Sequence, residues 1–142
     1  MLVRFDFGTP LYAAALRLRE AVLRRPLGMV YAPAALMEEW REYHFGWWVA
    51  GRGLVAVLTL APLEENGWKL RQMAVHPDYQ RRGYGRRLIA AAERWAAQRG
   101  GRRIVLHARH YAVPFYEKLG YRKEGPPFEE VGMPHYRMRK AL

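Results

Sequence analysis

Val75-His76-Pro77-Asp78-Tyr79-Gln80-Arg81-Arg82-Gly83-Tyr84-Gly85-Arg86-Arg87-Leu88 is the stretch on which the reading of this chain turns. An apolar run ends at a proline, and a turn rich in glycine and arginine opens an amphipathic segment. Glycines at 83 and 85 remove side chains where the backbone would approach a ligand. Free amides at a helix start, with the helix dipole behind them, form a site for an anion. Arg81, Arg82, Arg86 and Arg87 add charge that can fork onto phosphate oxygens. The local chemistry asks for a pyrophosphate. A P-loop is excluded, because no Gly-Lys-Ser/Thr occurs. The dinucleotide pattern Gly-x-Gly-x-x-Gly also fails, because Leu88 occupies its third glycine position.

Around this stretch the chain reads as one α/β domain over residues 1–142. Leu2 to Phe7 suggests a strand, and Thr9-Pro10 an N-cap followed by proline in the first helical turn. Leu11, Ala14, Leu18 and Val22 give a helical stripe that Pro26 and Gly28 end, and Ala34 to Trp40 a second helix. Trp47–Ala50 and Leu54–Leu60 flank Gly51-Arg52-Gly53 as a hairpin, with Trp68–Val75 as the next strand. Gly85 to Arg99 is helical, with Leu88, Ala92, Trp95 and Ala96 inward. Ile104–Leu106 is a buried strand, Val113–Leu119 a helix, and Met133–Met138 a last strand. Strands and helices in this order predict a mixed sheet with helices on both faces.

Composition narrows the chemistry. The chain has 142 residues with no cysteine and no serine, so disulfides, thiolate metal sites and Ser or Cys nucleophiles are excluded. The balance of 24 Lys+Arg against 13 Asp+Glu, or +11, favours anionic partners. Only four of those cations are lysines, and Asn66 is the single asparagine, a bias that GC-rich coding or a hot-growing host also produces. No RNP-like, zinc-finger or helix-turn-helix signature accompanies the charge, so nucleic acid is not expected as a partner. Trp47 to Leu63 is too short and too broken to span a membrane, and no charged-then-apolar leader precedes Asp6. The expectation is a cytoplasmic chain.

The spacing Gln80-x-x-Gly83-x-Gly85, with Arg71-Gln72-Met73-Ala74-Val75-His76-Pro77 upstream, resembles motif A of the GNAT superfamily, the acyl-CoA-dependent N-acetyltransferases. His107 through Tyr121, with Phe115-Tyr116-x-x-x-Gly120-Tyr121, resembles its motif B. Phe128-Glu129-Glu130-Val131-Gly132-Met133-Pro134-His135 is similar to the tail of one bacterial branch, with Met133 in place of isoleucine, and Arg24–Gly28 to that branch's first helix.

The resemblance implies a GNAT-like fold: a mixed, mostly antiparallel sheet of six to seven strands with about four helices. It implies transfer of an acetyl group from acetyl-CoA, as co-substrate, to a primary amine by direct attack. No metal is implied, and members of the family often form homodimers. Backbone amides from Arg81, Arg82, Gly83, Tyr84, Gly85 and Arg86, with Gln80, would cradle the pyrophosphate. Met73, Ala74 and Val75 would hold the pantetheine arm as an added strand, and one of their amides would polarise the thioester. Tyr116 would assist the departing thiolate. Reference pKa values near 10 for tyrosine and 8.5 for a thiol make complete proton transfer uphill by roughly 2 kcal/mol.

His107 is the favoured general base, among Glu130, His135, Glu64 and Glu65, with Glu130 and His135 also contacting substrate. Seven glutamates, at 38, 39, 42, 64, 65, 129 and 130, flank the expected groove, and their convergence would favour a cationic amine. Two other functions fit the same residues: an acyl-CoA-binding regulatory module without turnover, and a basic nucleic-acid-binding module.

Overall fold

A computed structural model describes residues 1–142. Seven strands form one sheet in the order β1-β2-β3-β4-β5-β7-β6. They are β1 (Leu2–Phe5), β2 (Tyr43–Val49), β3 (Gly53–Leu63), β4 (Gly67–Val75), β5 (Arg103–Arg109), β6 (Arg122–Glu130) and β7 (Met133–Ala141). Only the β4–β5 pair is parallel. The α-helices are α1 (Pro10–Arg19), α2 (Pro33–Leu36), α3 (Tyr84–Gln98) and α4 (Val113–Lys118). None is long and apolar enough to cross a membrane.

The parallel pair is joined by α3, which packs Leu88, Ile89, Ala92 and Ala96 onto one sheet face against Phe45, Leu58, Leu70 and Leu106. Tyr116 and Val113 of α4 belong to this same apolar cluster. On the opposite face α1 sets Ala15 and Leu18 on Val57 and Ala74. Burial of these side chains is the main driving term, at about 1.5–3 kcal/mol for each large aliphatic residue.

Several boundaries and faces differ from the sequence reading. Thr9 does cap α1, accepting from the Tyr12 amide at 3.3 Å. The buried stripe, however, is Tyr12, Ala15, Leu18 and Arg19, one position round from Leu11 and Ala14. The helix then widens into a π-turn over Glu20–Arg24 and tightens to a 3₁₀ turn before Gly28, at φ 69°. Arg19 explains the rotation. Its guanidinium, 1% exposed, donates to Glu39 Oε1 at 2.8 Å and Oε2 at 2.7 Å, while the Tyr12 hydroxyl donates to Oε1 at 2.8 Å. A polar partner 20 residues away overrides the apolar pattern. Strand β2 begins at Tyr43, four residues before the apolar run starts, because buried His44 hydrogen-bonds the Glu39 carbonyl at 2.9 Å. Trp40, at the end of the second helix read from the sequence, is exposed.

Breaking one half of a buried ion pair strands the other charge. Arg19→Met is expected to destabilise the fold by about 3–5 kcal/mol in urea unfolding, with Arg19→Met/Glu39→Leu recovering most of the loss. A single variant as stable as the parent would show that the pair does not orient α1.

Candidate active site

Strands β4 and β5 pair only from Gly67↔Arg103 to Leu70↔Leu106 and then part. Beyond Leu70, β4 is paired on its β3 side alone, through Thr59↔Arg71, Val57↔Ala74 and Ala56↔Val75. Its other edge opens into a groove of about 1210 Å³. The edge is shaped by a bulge: the β3–β4 register shifts between Val57 and Thr59, and Gln72 sits at φ 55°. An extra residue in one strand turns its neighbours toward new faces. Arg71 therefore faces Glu42 and Ala74 faces α1, whereas Met73 and Val75 turn to α3.

The groove floor leads to the turn before α3. Arg81 at φ 63° and Gly83 at φ 85° reverse the chain there. The amides of Arg81, Arg82 and Gly83 donate to no carbonyl of the chain, and those of Tyr84, Gly85 and Arg86 are the open donors of the first turn of α3. The first backbone bond of the helix runs from the Arg87 amide to the Gly83 carbonyl, at 3.0 Å. Consecutive free amides at the start of a 15-residue helix make an anion cradle.

The two glycines have different causes. Gly83 meets a backbone angle that other residues avoid. Gly85 is buried, and a Cβ there would lie 3.1 Å from Met73 Cε and 3.3 Å from Val75 Cγ2. Its small size therefore serves the contact between helix and strand, while the residue also lines the groove. Gln80 donates through Nε2 to the Val75 carbonyl at 3.0 Å and so ties the turn to the strand end. His76 caps that turn, its Nδ1 accepting from the Asp78 amide at 3.1 Å.

Tyr116 lies on the groove wall from α4, nearly buried, and burial pushes its hydroxyl well above the ordinary tyrosine range. It is a firm donor and a poor acid. His107, on β5, and Glu130, at the end of β6, meet across the sheet, with Nδ1 to Oε1 at 3.2 Å. Against a carboxylate Nδ1 is the donor, which leaves the Nε2 lone pair free. Phe128 packs edge-on against the imidazole at 4.9 Å. Burial lowers the His107 pKa below the ordinary 6.5; the Glu130 hydrogen bond opposes this, while Lys69 and Arg137 reinforce it. His135 is buried behind Glu130, with Nδ1 on the Met133 carbonyl at 3.0 Å and Nε2 3.5 Å from Glu130 Oε2. One carboxylate thus bridges two histidines that the chain places 28 residues apart.

Gln80 to Arg86 at the turn, Met73 to Val75 on β4, His107 on β5, Tyr116 on α4 and Glu130 and His135 of the tail line this groove, whereas Arg87, expected at the phosphate, lies over the Tyr84 ring at 5.6 Å and outside it. The glutamates do not converge there: Glu130 alone of the seven does. Glu39 is consumed by Arg19, Glu42 by Arg71 and Thr59, and Glu38 by Arg41. Glu64 and Glu65 lie where β3 turns into β4, their carbonyls accepting from Arg103. No tryptophan lines the groove either. Lys69, Arg71 and Arg109, which do line it, were missed, because alternation along β4 and β5 gives no sign of which strand neighbours part.

A family model for the acetyltransferase (GNAT) domain matches residues 20–142. The N-acetyltransferase YitI of Bacillus subtilis, itself uncharacterized, is 31% identical over 108 residues, covering 71% of this chain and 72% of that protein. The chain spans only about half to three-fifths of the length of the first curated relatives it matches. Among solved structures, a candidate N-acetyltransferase from Lactobacillus plantarum superposes with TM-score 0.87 at 28% identity, covering 99% of this chain and 98% of the other. An aminoglycoside 6'-N-acetyltransferase complexed with coenzyme A has the same fold, with TM-score 0.80 at 21% identity and coverage of 99% and 96%.

The geometry fixes a sign for His107. By imidazole NMR it should titrate below 6.5, and Glu130→Gln should lower the value further by removing the partner that favours the charged ring. Titration at or above 6.5 in the parent protein would contradict the assignment.

Proposed function

This chain belongs to the acetyltransferase (GNAT) family, and on that premise we propose that it transfers an acetyl group from acetyl-CoA to a primary amine. The single observation that carries this reading is the parting of β4 from β5 directly above six open amides. A diphosphate fits the amides of Arg81 to Arg86, with the guanidinium groups of Arg81, Arg82 and Arg86 at the rim. An extended amide-bearing arm fits the unpaired edge at Met73–Val75, where it would add a strand. Acetyl-CoA supplies the thioester acyl group; the protein supplies position and charge.

Neutral His107 takes a proton from the substrate ammonium through Nε2, and Glu130 holds the ring by its other nitrogen. The freed amine nitrogen then attacks the acyl carbon, the carbon–sulfur bond breaks, the sulfur leaves with the bonding pair, and the second proton of the new amide nitrogen passes to that thiolate. A backbone amide on the open β4 edge stabilises the oxyanion. Tyr116 donates a hydrogen bond to the departing sulfur. Burial widens its pKa gap to a thiol, so the hydroxyl stabilises the thiolate without surrendering its proton. With no cysteine or serine in the chain, direct attack needs no covalent enzyme intermediate. The base beside the groove favours turnover over a purely sensing role.

Acetyl-CoA at about a hundredfold over its Kd should add roughly 2.7 kcal/mol of stability, seen as a rise in melting temperature. Tyr116→Phe should lower kcat about ten- to a hundredfold, the worth of a hydrogen bond to a charged group, with acetyl-CoA affinity unchanged by calorimetry. Loss of affinity in that variant would displace Tyr116 from the sulfur. Absence of any heat with acetyl-CoA would remove the reading itself.

A further inference from the structure

The cations along the groove are not all spoken for. Its carboxylate inventory is Glu130 alone, and that group already faces His107 and His135. Arg71 is matched by Glu42, whose side chain is buried, with Thr59 donating to the same carboxylate at 2.7 Å. Arg109 donates to the Leu23 carbonyl at 2.8 Å and the Tyr111 hydroxyl at 3.0 Å, and Arg24 lies 4.6 Å over the Tyr31 ring. Neither guanidinium meets a carboxylate. Lys69 is the extreme case: it lines the groove half-buried, and its Nζ has neither a hydrogen-bond partner nor an ion pair.

The neighbours of that ammonium are named by its electrostatics. Burial pushes the Lys69 pKa down first, and Arg71 and Arg137 push it further, while Glu130 and Glu42 pull it up. Lys69 is also near enough to His107 to oppose protonation of the ring. A half-buried cation without a partner, held in a cleft beside other cations, is a place where an anion is favoured. The arrangement disfavours a polycationic acceptor, which would add a second ammonium opposite Lys69.

Resting on the acyl-transfer reading, we propose that the acceptor is a small amine that itself carries a carboxylate, as an amino acid does. Lys69 receives the carboxylate while the amino group is presented to His107. The carboxylate is untouched in the reaction. The amine loses its proton to the base and gains the acyl carbon, and the product leaves with its anionic group intact.

The test is acetylation of amino acids, their carboxamides and aliphatic diamines, with thiol release from acetyl-CoA as the signal. The parent enzyme is expected to favour at least one amino acid over its own carboxamide by about tenfold or more in kcat/KM. Lys69→Met should bring that ratio to within about twofold, mainly by raising KM for the amino acid, and Lys69→Arg should keep most of the preference. Melting temperatures of both variants report whether the fold survives. Preference for the carboxamide or the diamine, or a preference that Lys69→Met leaves intact, overturns the proposal and spares the acyl-transfer reading. If acetyl-CoA binds by calorimetry and no amine of the three sets is acetylated, the amino-acid proposal falls, whereas absence of acetyl-CoA binding removes the acyl-transfer reading instead.

Discussion

A parallel pair of strands that stops pairing halfway is the constraint on which this molecule depends. Backbone donors and acceptors inside a protein demand partners. Four residue pairs join β4 to β5, from Gly67↔Arg103 to Leu70↔Leu106; beyond them one edge of each strand is left without a partner strand, facing a groove. Such an opening is sustainable because each strand is fully supported on its other side, β4 by β3 and β5 by β7. The apolar cluster beneath, from Leu70 through Leu106 to Met138, ties the two halves of the sheet together. The site is therefore a planned gap in a ladder, finished by the amide-rich turn that the same strand runs into.

Two polar devices keep the gap in shape. The Arg19–Glu39–Tyr12 cluster sets the rotation of α1 on the sheet, and Arg19 and Arg24 both lie over the Tyr31 ring. The Tyr31 hydroxyl donates to Gln72 Oε1 at 2.7 Å, the residue at the bulge of β4. On the far side, the hairpin between β6 and β7 carries Glu130 to His107, with Val131 at φ 44° and Gly132 at φ 77° making the reversal. A β-branched residue in that region is strained, and the strain sits one residue from the carboxylate.

What was legible in the sequence follows from range. The turn from Val75 to Leu88 is local: proline, glycines and the apolar stripe of α3 lie within one short window, so both fold and anion cradle could be read from it. Tyr116 and the tail residues Glu130 and His135 were visible through their resemblance to known motifs. Contacts over long sequence distances were not. The rotation of α1 depends on Glu39, and the fate of the glutamates on Arg19 and Arg71, none of which is a sequence neighbour of its partner. Gly85 shows a subtler limit, since small size for a ligand and small size for packing are written with the same letter.

Most of the cradle is made of main chain, and that has an evolutionary corollary. Peptide groups are common to every residue, so side chains around the opening can drift while the shape is inherited. One protein with 21% identity to this one still superposes with a TM-score of 0.80. On the acyl-transfer reading proposed above, the half of the site that would hold the carrier is inherited as backbone geometry, and diversification falls on the few side chains across the opening, where one exchanged charge would redirect the catalyst to a new clientele.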